Sequence, residues 1–240
     1  MPFCNVMSID GDWVLFGMDY YNGGYKIYKF NIKTKELIFL RDGFLPTYLP
    51  KYNKLVFFMS KKQDKEFSED GLCVVDMDSL NKPKFISAAP IRYSRIVPVS
   101  DSEVVFRSNI NYETLIYNVE TDEVKVLPFS NCYAPIAWRD KSKQLLCTGE
   151  DDYFFTGLDG KNVENISKKI GDNIHKHIDM YIPEKDVFII FNEETRFYWK
   201  KGLGIDFWWD MWVYDVVSGK KEVLTRGISW PIKSAIYLPD

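Results

Sequence analysis

The two histidines of the chain stand two positions apart, His175 and His177, with Asp179 two further on. On an extended strand, residues i, i+2 and i+4 point to one face, so these side chains would converge. Three such ligands are what a catalytic zinc ion takes from a protein. The same segment reads as a plain connection between strands, and nothing else in the sequence joins it, so no metal and no cofactor is assigned. Carboxylates offer a second chemistry. Glu150, Asp151 and Asp152 run in succession, and Glu193 and Glu194 form a pair further on. Two carboxylates flanking a sugar ring are what glycoside hydrolysis needs. Acidic loop residues are common, and no GxSxG elbow, Walker loop, HExxH helix or dinucleotide fingerprint accompanies them. No catalytic residue is assigned, and the chain is expected to be non-enzymatic.

Recognition is better served than catalysis. Residues 192–211 hold Trp199, Trp208 and Trp209, and Trp212 follows at once, four of the chain's seven tryptophans. The stretch is read as a long loop insertion. Tryptophan, tyrosine and arginine dominate binding hot spots, although an extended hairpin that folds its aromatics over itself would use the same residues. Smaller clusters join tyrosines to acids: Asp19-Tyr20-Tyr21, Tyr112-Glu113 and Glu150-Asp151-Asp152-Tyr153. Tyrosine beside a carboxylate suits lysine and arginine side chains through cation–π and ionic contacts. The candidate partner-binding set is therefore Asp19, Tyr20, Tyr21, Tyr112, Glu113, Glu150, Asp151, Asp152, Tyr153, Glu193, Glu194, Trp199, Asp206, Trp208 and Asp210.

The elements that must carry these residues are β-hairpins, and they recur. One motif consists of an apolar residue, Asp or Asn, an apolar residue, a short polar turn and a second apolar run. It appears at Phe30-Asn31-Ile32, Val75-Asp76-Met77, Tyr117-Asn118-Val119 and Tyr214-Asp215-Val216, with a degenerate copy at Phe155-Thr156-Gly157. The Asp or Asn can bond local backbone at the strand end. A second hairpin precedes each copy, within 7–16, 48–57, 97–106, 138–146 and 181–189, so each unit holds four strands. Marker positions 31, 76, 118, 156 and 215 lie 45, 42, 38 and 59 apart, and a four-stranded propeller blade takes about 40–50 residues.

The pattern resembles the TolB-type and WD40-like propeller repeats, with Tyr214 to Thr225 the nearest copy of their Tyr-Asp-x-x-Ser-Gly signature. That resemblance implies an all-β, five-bladed β-propeller of four-stranded antiparallel blades forming a single domain over 1–240. It says almost nothing of function. A β-sandwich is the competing architecture. Residues 229–240 look like the first strand of an incomplete sixth blade and are expected to pack near residues 3–20.

In an up-and-down blade the loops between strands 2 and 3 share a face with the connections between blades, while the shorter turns lie opposite. The strand 2–3 loops, read as 18–24, 60–71, 107–113, 148–153 and 192–211, hold 13 acidic and 7 basic residues. The whole chain of 240 residues carries only −3, so acidity gathers on one face and favours a basic partner.

Composition sets the remaining limits. A sequence pI near 5.6 with no basic patch argues against direct nucleic-acid binding. No run approaches about 18 consecutive apolar residues, so no membrane association is expected. Met1-Pro2-Phe3-Cys4 leads straight into a strand-like segment without the pattern of a leader peptide. The cysteines Cys4, Cys73, Cys132 and Cys147 show no CxxC spacing, and Cys73 and Cys147 read as buried thiols. Together these features point to a reducing, cytoplasmic setting. Size, composition and the lack of a leader resemble those of bacterial toxin-immunity proteins. The expected function is a non-enzymatic protein-binding propeller, in its sharpest form an intracellular immunity protein that neutralises a basic toxin such as a nuclease. A lectin-like propeller and a glycoside hydrolase are the alternatives.

Overall fold

The computed structural model describes residues 3–20, 24–59, 71–88, 95–108, 111–150, 152–170, 176–182, 185–196 and 206–228. The first blade is β1 (Phe3–Asp10), β2 (Trp13–Tyr20), β3 (Gly24–Asn31) and β4 (Leu37–Asp42). The second is β5 (Phe44–Leu49), β6 (Lys54–Met59), β7 (Gly71–Asp76) and β8 (Lys84–Ala88). The third is β9 (Val97–Pro98), β10 (Glu103–Arg107), β11 (Thr114–Asn118) and β12 (Glu123–Val126). The fourth is β13 (Ala134–Arg139), β14 (Gln144–Thr148), β15 (Tyr153–Gly157) and β16 (Glu164–Asn165), followed by the single helical turn α1 (Ile166–Ile170). The fifth is β17 (Lys176–Ile182), β18 (Val187–Arg196), β19 (Asp206–Asp215) and β20 (Lys221–Ile228). Within every sheet the strand order follows the chain order, so each blade is an antiparallel meander of four consecutive strands. The protein is all-β, with the blade set of a five-bladed β-propeller.

The repeated Asp or Asn explains why the outer hairpins form. Asn31 Oδ1 accepts from the amides of Lys33 and Thr34 at 3.0 and 2.9 Å. Asn118 Oδ1 does the same for Glu120 and Thr121, and Asp215 Oδ1 for Val217 and Ser218. Each side chain satisfies the two amides that the turn would otherwise leave open. In the degenerate fourth copy the acceptor moves three places on: Asp159 Oδ1 takes the amide of Lys161 at 2.9 Å. In the second copy Asp76 serves differently, as the partner of Lys54 Nζ at 2.7 Å.

Blades are buried on both faces, which is why their central strands read as continuous apolar runs. Along β6, Leu55, Phe57 and Met59 enter one cluster with Leu15 and Ile27 of the first blade. The alternate residues Val56 and Phe58 enter another with Val104, Phe106 and Tyr117 of the third. Val105 of β10 points the other way and packs with Leu145, Cys147 and Phe154 of the fourth. Every one of these β6 and β10 side chains is at most 2% exposed. On the short-turn face, Tyr52 donates to Glu120 at 2.7 Å, Lys51 pairs with Asp101 at 3.3 Å, and Lys84 pairs with Asp122. Exposed pairs of this kind contribute little to stability.

The chain divides into two compact units, 1–164 and 165–240. The sequence expectations need two corrections. Residues 192–211 are not simply a loop: β18 runs on to Arg196 and β19 starts at Asp206, so the strand ladder extends with Glu193 to Arg196 paired to Trp209 to Asp206. Cys147 is not a thiol: it is bonded to Cys132, its Cα 5.2 Å away across 15 residues of sequence. A bond between positions so far apart follows from strand pairing and leaves no spacing motif. Cys73 is a buried thiol, as expected. The terminal segment 229–240 and the loop 60–70 lie outside the described residues.

Candidate functional site

The face that carries strand 2–3 loops and blade connections is built most completely at the third and fourth blades. Arg107 closes β10. By strand alternation it shares the side of Val105, toward the fourth blade, while Val104 and Phe106 face the second. It is 3% exposed. Its Nη1 donates to the carbonyl of Cys132. The Oγ of Thr114, the cross-strand partner of Arg107, donates to the same carbonyl at 3.4 Å. Burial lowers the arginine's pKa, against the opposing influence of Tyr133 and Tyr112. From so high a starting value the group stays charged.

Two tyrosines lie over this guanidinium. Its carbon is 4.9 Å from the ring centroid of Tyr133 and 5.8 Å from that of Tyr112. Unlike the arginine, the rings are open to solvent, with Tyr112 65% and Tyr133 45% exposed. Tyr112 sits in the strand 2–3 loop of the third blade, which the Ser108 amide closes on the Glu113 carbonyl at 2.9 Å. Its φ is 55°, a left-handed conformation that costs a side-chain-bearing residue about 1–2 kcal/mol. Strain of this kind, held on a large exposed aromatic, is the sort that collects at functional sites. Tyr133 sits on the connection between the third and fourth blades. Its amide donates to the Thr148 carbonyl at 2.7 Å, and the Cys132–Cys147 bond anchors the residue before it.

Beside them is the strand 2–3 loop of the fourth blade, where the Gly149 amide donates to the Asp152 carbonyl at 2.6 Å. Glu150 is exposed, while Asp152 and Tyr153 are half-buried. The continuous run from Tyr112 through Arg107 and Tyr133 to Thr148 thus links two of the acidic-aromatic clusters read from the sequence, Tyr112-Glu113 and Glu150 to Tyr153. Asp151 lies outside the described residues.

The remaining candidates divide between two places. Asp19 and Tyr20 end β2, opposite Tyr25 and Gly24, and Tyr21 lies outside the described residues. In the fifth blade, Glu193 and Glu194 stand opposite Trp209 and Trp208, and Asp206 and Asp210 opposite Arg196 and Asn192. Trp199 lies outside the described residues. Of the histidine cluster, His175 lies outside them, while His177 and Asp179 are on β17. There the register slips between Ile178 and Met180.

Sequence reasoning overlooked Arg107 as a site residue and Tyr133 altogether. Attention to the blade connections, which share the face of the strand 2–3 loops, would have found Tyr133. Nothing local marks Arg107.

No protein-family model matches the sequence, and no curated protein does. Solved structures match well in shape. A TolB-like protein from Agrobacterium tumefaciens aligns over 94% of this chain and 79% of its own, with a TM-score of 0.63 at 12% identity. TolB from Acinetobacter baumannii aligns over 91% of this chain and 53% of its own, with a TM-score of 0.62 at 10% identity. An oligogalacturonate lyase in complex with manganese covers 94% of this chain and 67% of its own, with a TM-score of 0.56 at 15% identity. At such identities the likeness is one of fold alone: the chain has a TolB-type β-propeller fold.

Proposed function

We propose that this propeller is a non-catalytic protein-binding module whose working face carries the strand 2–3 loops and the blade connections. The observation that carries the proposal is the strained, exposed Tyr112 beside the exposed Tyr133, both held over a buried arginine. Rigid aromatics presented to solvent supply contact area at low entropic cost. The acids around them, Glu113 and Glu150 among them, give the face its excess of negative charge and suit a basic partner. In its sharpest form the reading is of an intracellular bacterial immunity protein that occludes the basic substrate-binding surface of a toxin such as a nuclease.

The test is affinity capture on the immobilised full chain, with a panel of basic toxin domains as prey and with Tyr112→Ala, Tyr133→Ala, Glu194→Lys and Trp208→Ala variants alongside. The proposal expects capture that weakens tenfold or more in the tyrosine variants and falls with salt. Equal capture by wild type and all four variants would move the site elsewhere. A hit on a glycan array with no protein captured would favour the lectin-like alternative.

A further inference from the structure

We infer that Cys132 and Cys147 form a thiol–disulfide couple that locks the recognition face, so that oxidation fixes Tyr133 and reduction releases it. The inference rests on the reading above only in calling this face the partner-facing one.

Three connections converge on Cys132. Its sulfur is bonded to Cys147 on β14. Its carbonyl takes the Arg107 guanidinium and the Thr114 hydroxyl. Its successor is Tyr133, the more tightly stacked of the two rings over Arg107. The connection entering β13 is otherwise tied to the fourth blade near this point by the amide of Tyr133 on Thr148. A covalent bond one residue before the exposed ring therefore holds the recognition element to the central strand of the blade. With that bond broken, the residue carrying the acceptor for Arg107 is held by weak interactions alone.

Both cysteines are 0% exposed. A reductant reaches the bond only when the connection opens locally, so exchange is slow in the native state and quickens as local opening is promoted. The chemistry is a two-electron step. A dithiol reductant attacks one sulfur as its thiolate, the S–S bond breaks, the dithiol closes to its own disulfide, and the two protons it gives up end on the Cys132 and Cys147 thiols.

The test uses the full chain, oxidised with glutathione disulfide and, separately, reduced with dithiothreitol. Peptide mapping should find Cys132 joined to Cys147 only in the oxidised sample. Hydrogen exchange across 127–134 and 107–114 should quicken about tenfold or more on reduction, with 71–76 of the second blade unchanged as an internal control. A Cys132→Ser/Cys147→Ser double variant should match the reduced protein. If it fails to fold, reduction of the wild type alone decides. Absence of the cross-link after oxidation, or exchange at 127–134 indifferent to reduction, would overturn the lock. A binding assay with an arginine-rich peptide as probe separates the two ideas. Loss of probe binding in Tyr133→Ala with no redox dependence would sink the lock and spare the proposed face. A redox-dependent exchange pattern with probe binding indifferent to Tyr112→Ala and Tyr133→Ala would do the reverse.

Discussion

Arg107 and Tyr133 lie 26 positions apart in sequence yet form one unit: the guanidinium carbon is 4.9 Å from the ring centroid, and its Nη1 bonds the carbonyl of the residue that precedes Tyr133. A buried cation is thereby covered by an exposed aromatic. Replacing Arg107 with methionine would keep much of the volume but leave the Cys132 carbonyl short of its charged donor. The expected cost is about 1–3 kcal/mol, read by urea denaturation, together with a shift of the Tyr133 ring resonances. An unmoved Tyr133 spectrum would show that the stack does not position the ring.

Tyr112 is where function and stability should part. Its left-handed φ of 55° suits glycine better than tyrosine. Tyr112→Gly is expected to leave stability unchanged or raise it by roughly 0.5–1 kcal/mol, while partner capture falls as in Tyr112→Ala. A variant that unfolds more easily would mean that the ring contributes packing its exposure does not suggest.

The core between the second and third blades should be far less forgiving. Phe58 is fully buried, 5.7 Å from the ring of Phe44 and 6.1 Å from that of Phe106. Phe58→Ala is expected to cost about 3–5 kcal/mol, measured as a lowered denaturation midpoint with little change in slope.

Gly43 makes the whole connection between β4 and β5. Its φ is +143°, and a Cβ there would stand 2.6 Å from the Phe57 ring and 3.0 Å from the Phe58 carbonyl. Gly43→Ala is therefore expected to destabilise by about 1–3 kcal/mol, and Gly11→Ala, with open space around its Cβ position, by less. Equal losses would point to backbone strain alone.

Acid should loosen the turns. The carboxyl of Asp215 is held below the usual range, chiefly by the Ser218 amide, that of Asp122 by Lys84, and that of Asp140 by Lys143. In each case the folded pKa lies below the unfolded one. The stabilisation is therefore present above the ordinary carboxylate pKa of about 4 and is lost as pH falls through the folded value. Thermal midpoints should be level between about pH 7 and 5 and fall below about pH 4. Asp215→Asn keeps the turn acceptor, as Asn31 and Asn118 do in their blades, so it should match wild type at neutral pH and show a shallower acid decline. An unchanged acid profile would remove Asp215 from this account.

Much of the architecture was legible because it is local. The Asp or Asn of Phe30-Asn31-Ile32, Tyr117-Asn118-Val119 and Tyr214-Asp215-Val216 bonds amides two and three residues on, so the same short pattern folds into the same hairpin wherever it occurs. The loop character assigned to 192–211 failed for a related reason: cross-strand pairing of Glu194 with Trp208 and Thr195 with Phe207 prolongs a hairpin whose ends look polar when read singly.

What the amino-acid sequence determined alone was the repeat, the five meanders and the face on which the strand 2–3 loops and blade connections emerge, since hairpin turns and two-residue alternation depend on neighbours along the chain. Only the tertiary structure decided that Arg107 lies beneath Tyr112 and Tyr133, and that Cys132 meets Cys147. Those meetings depend on how the third blade packs against the fourth. Side-chain burial and strand register set that packing jointly, and no local spacing of residues encodes it.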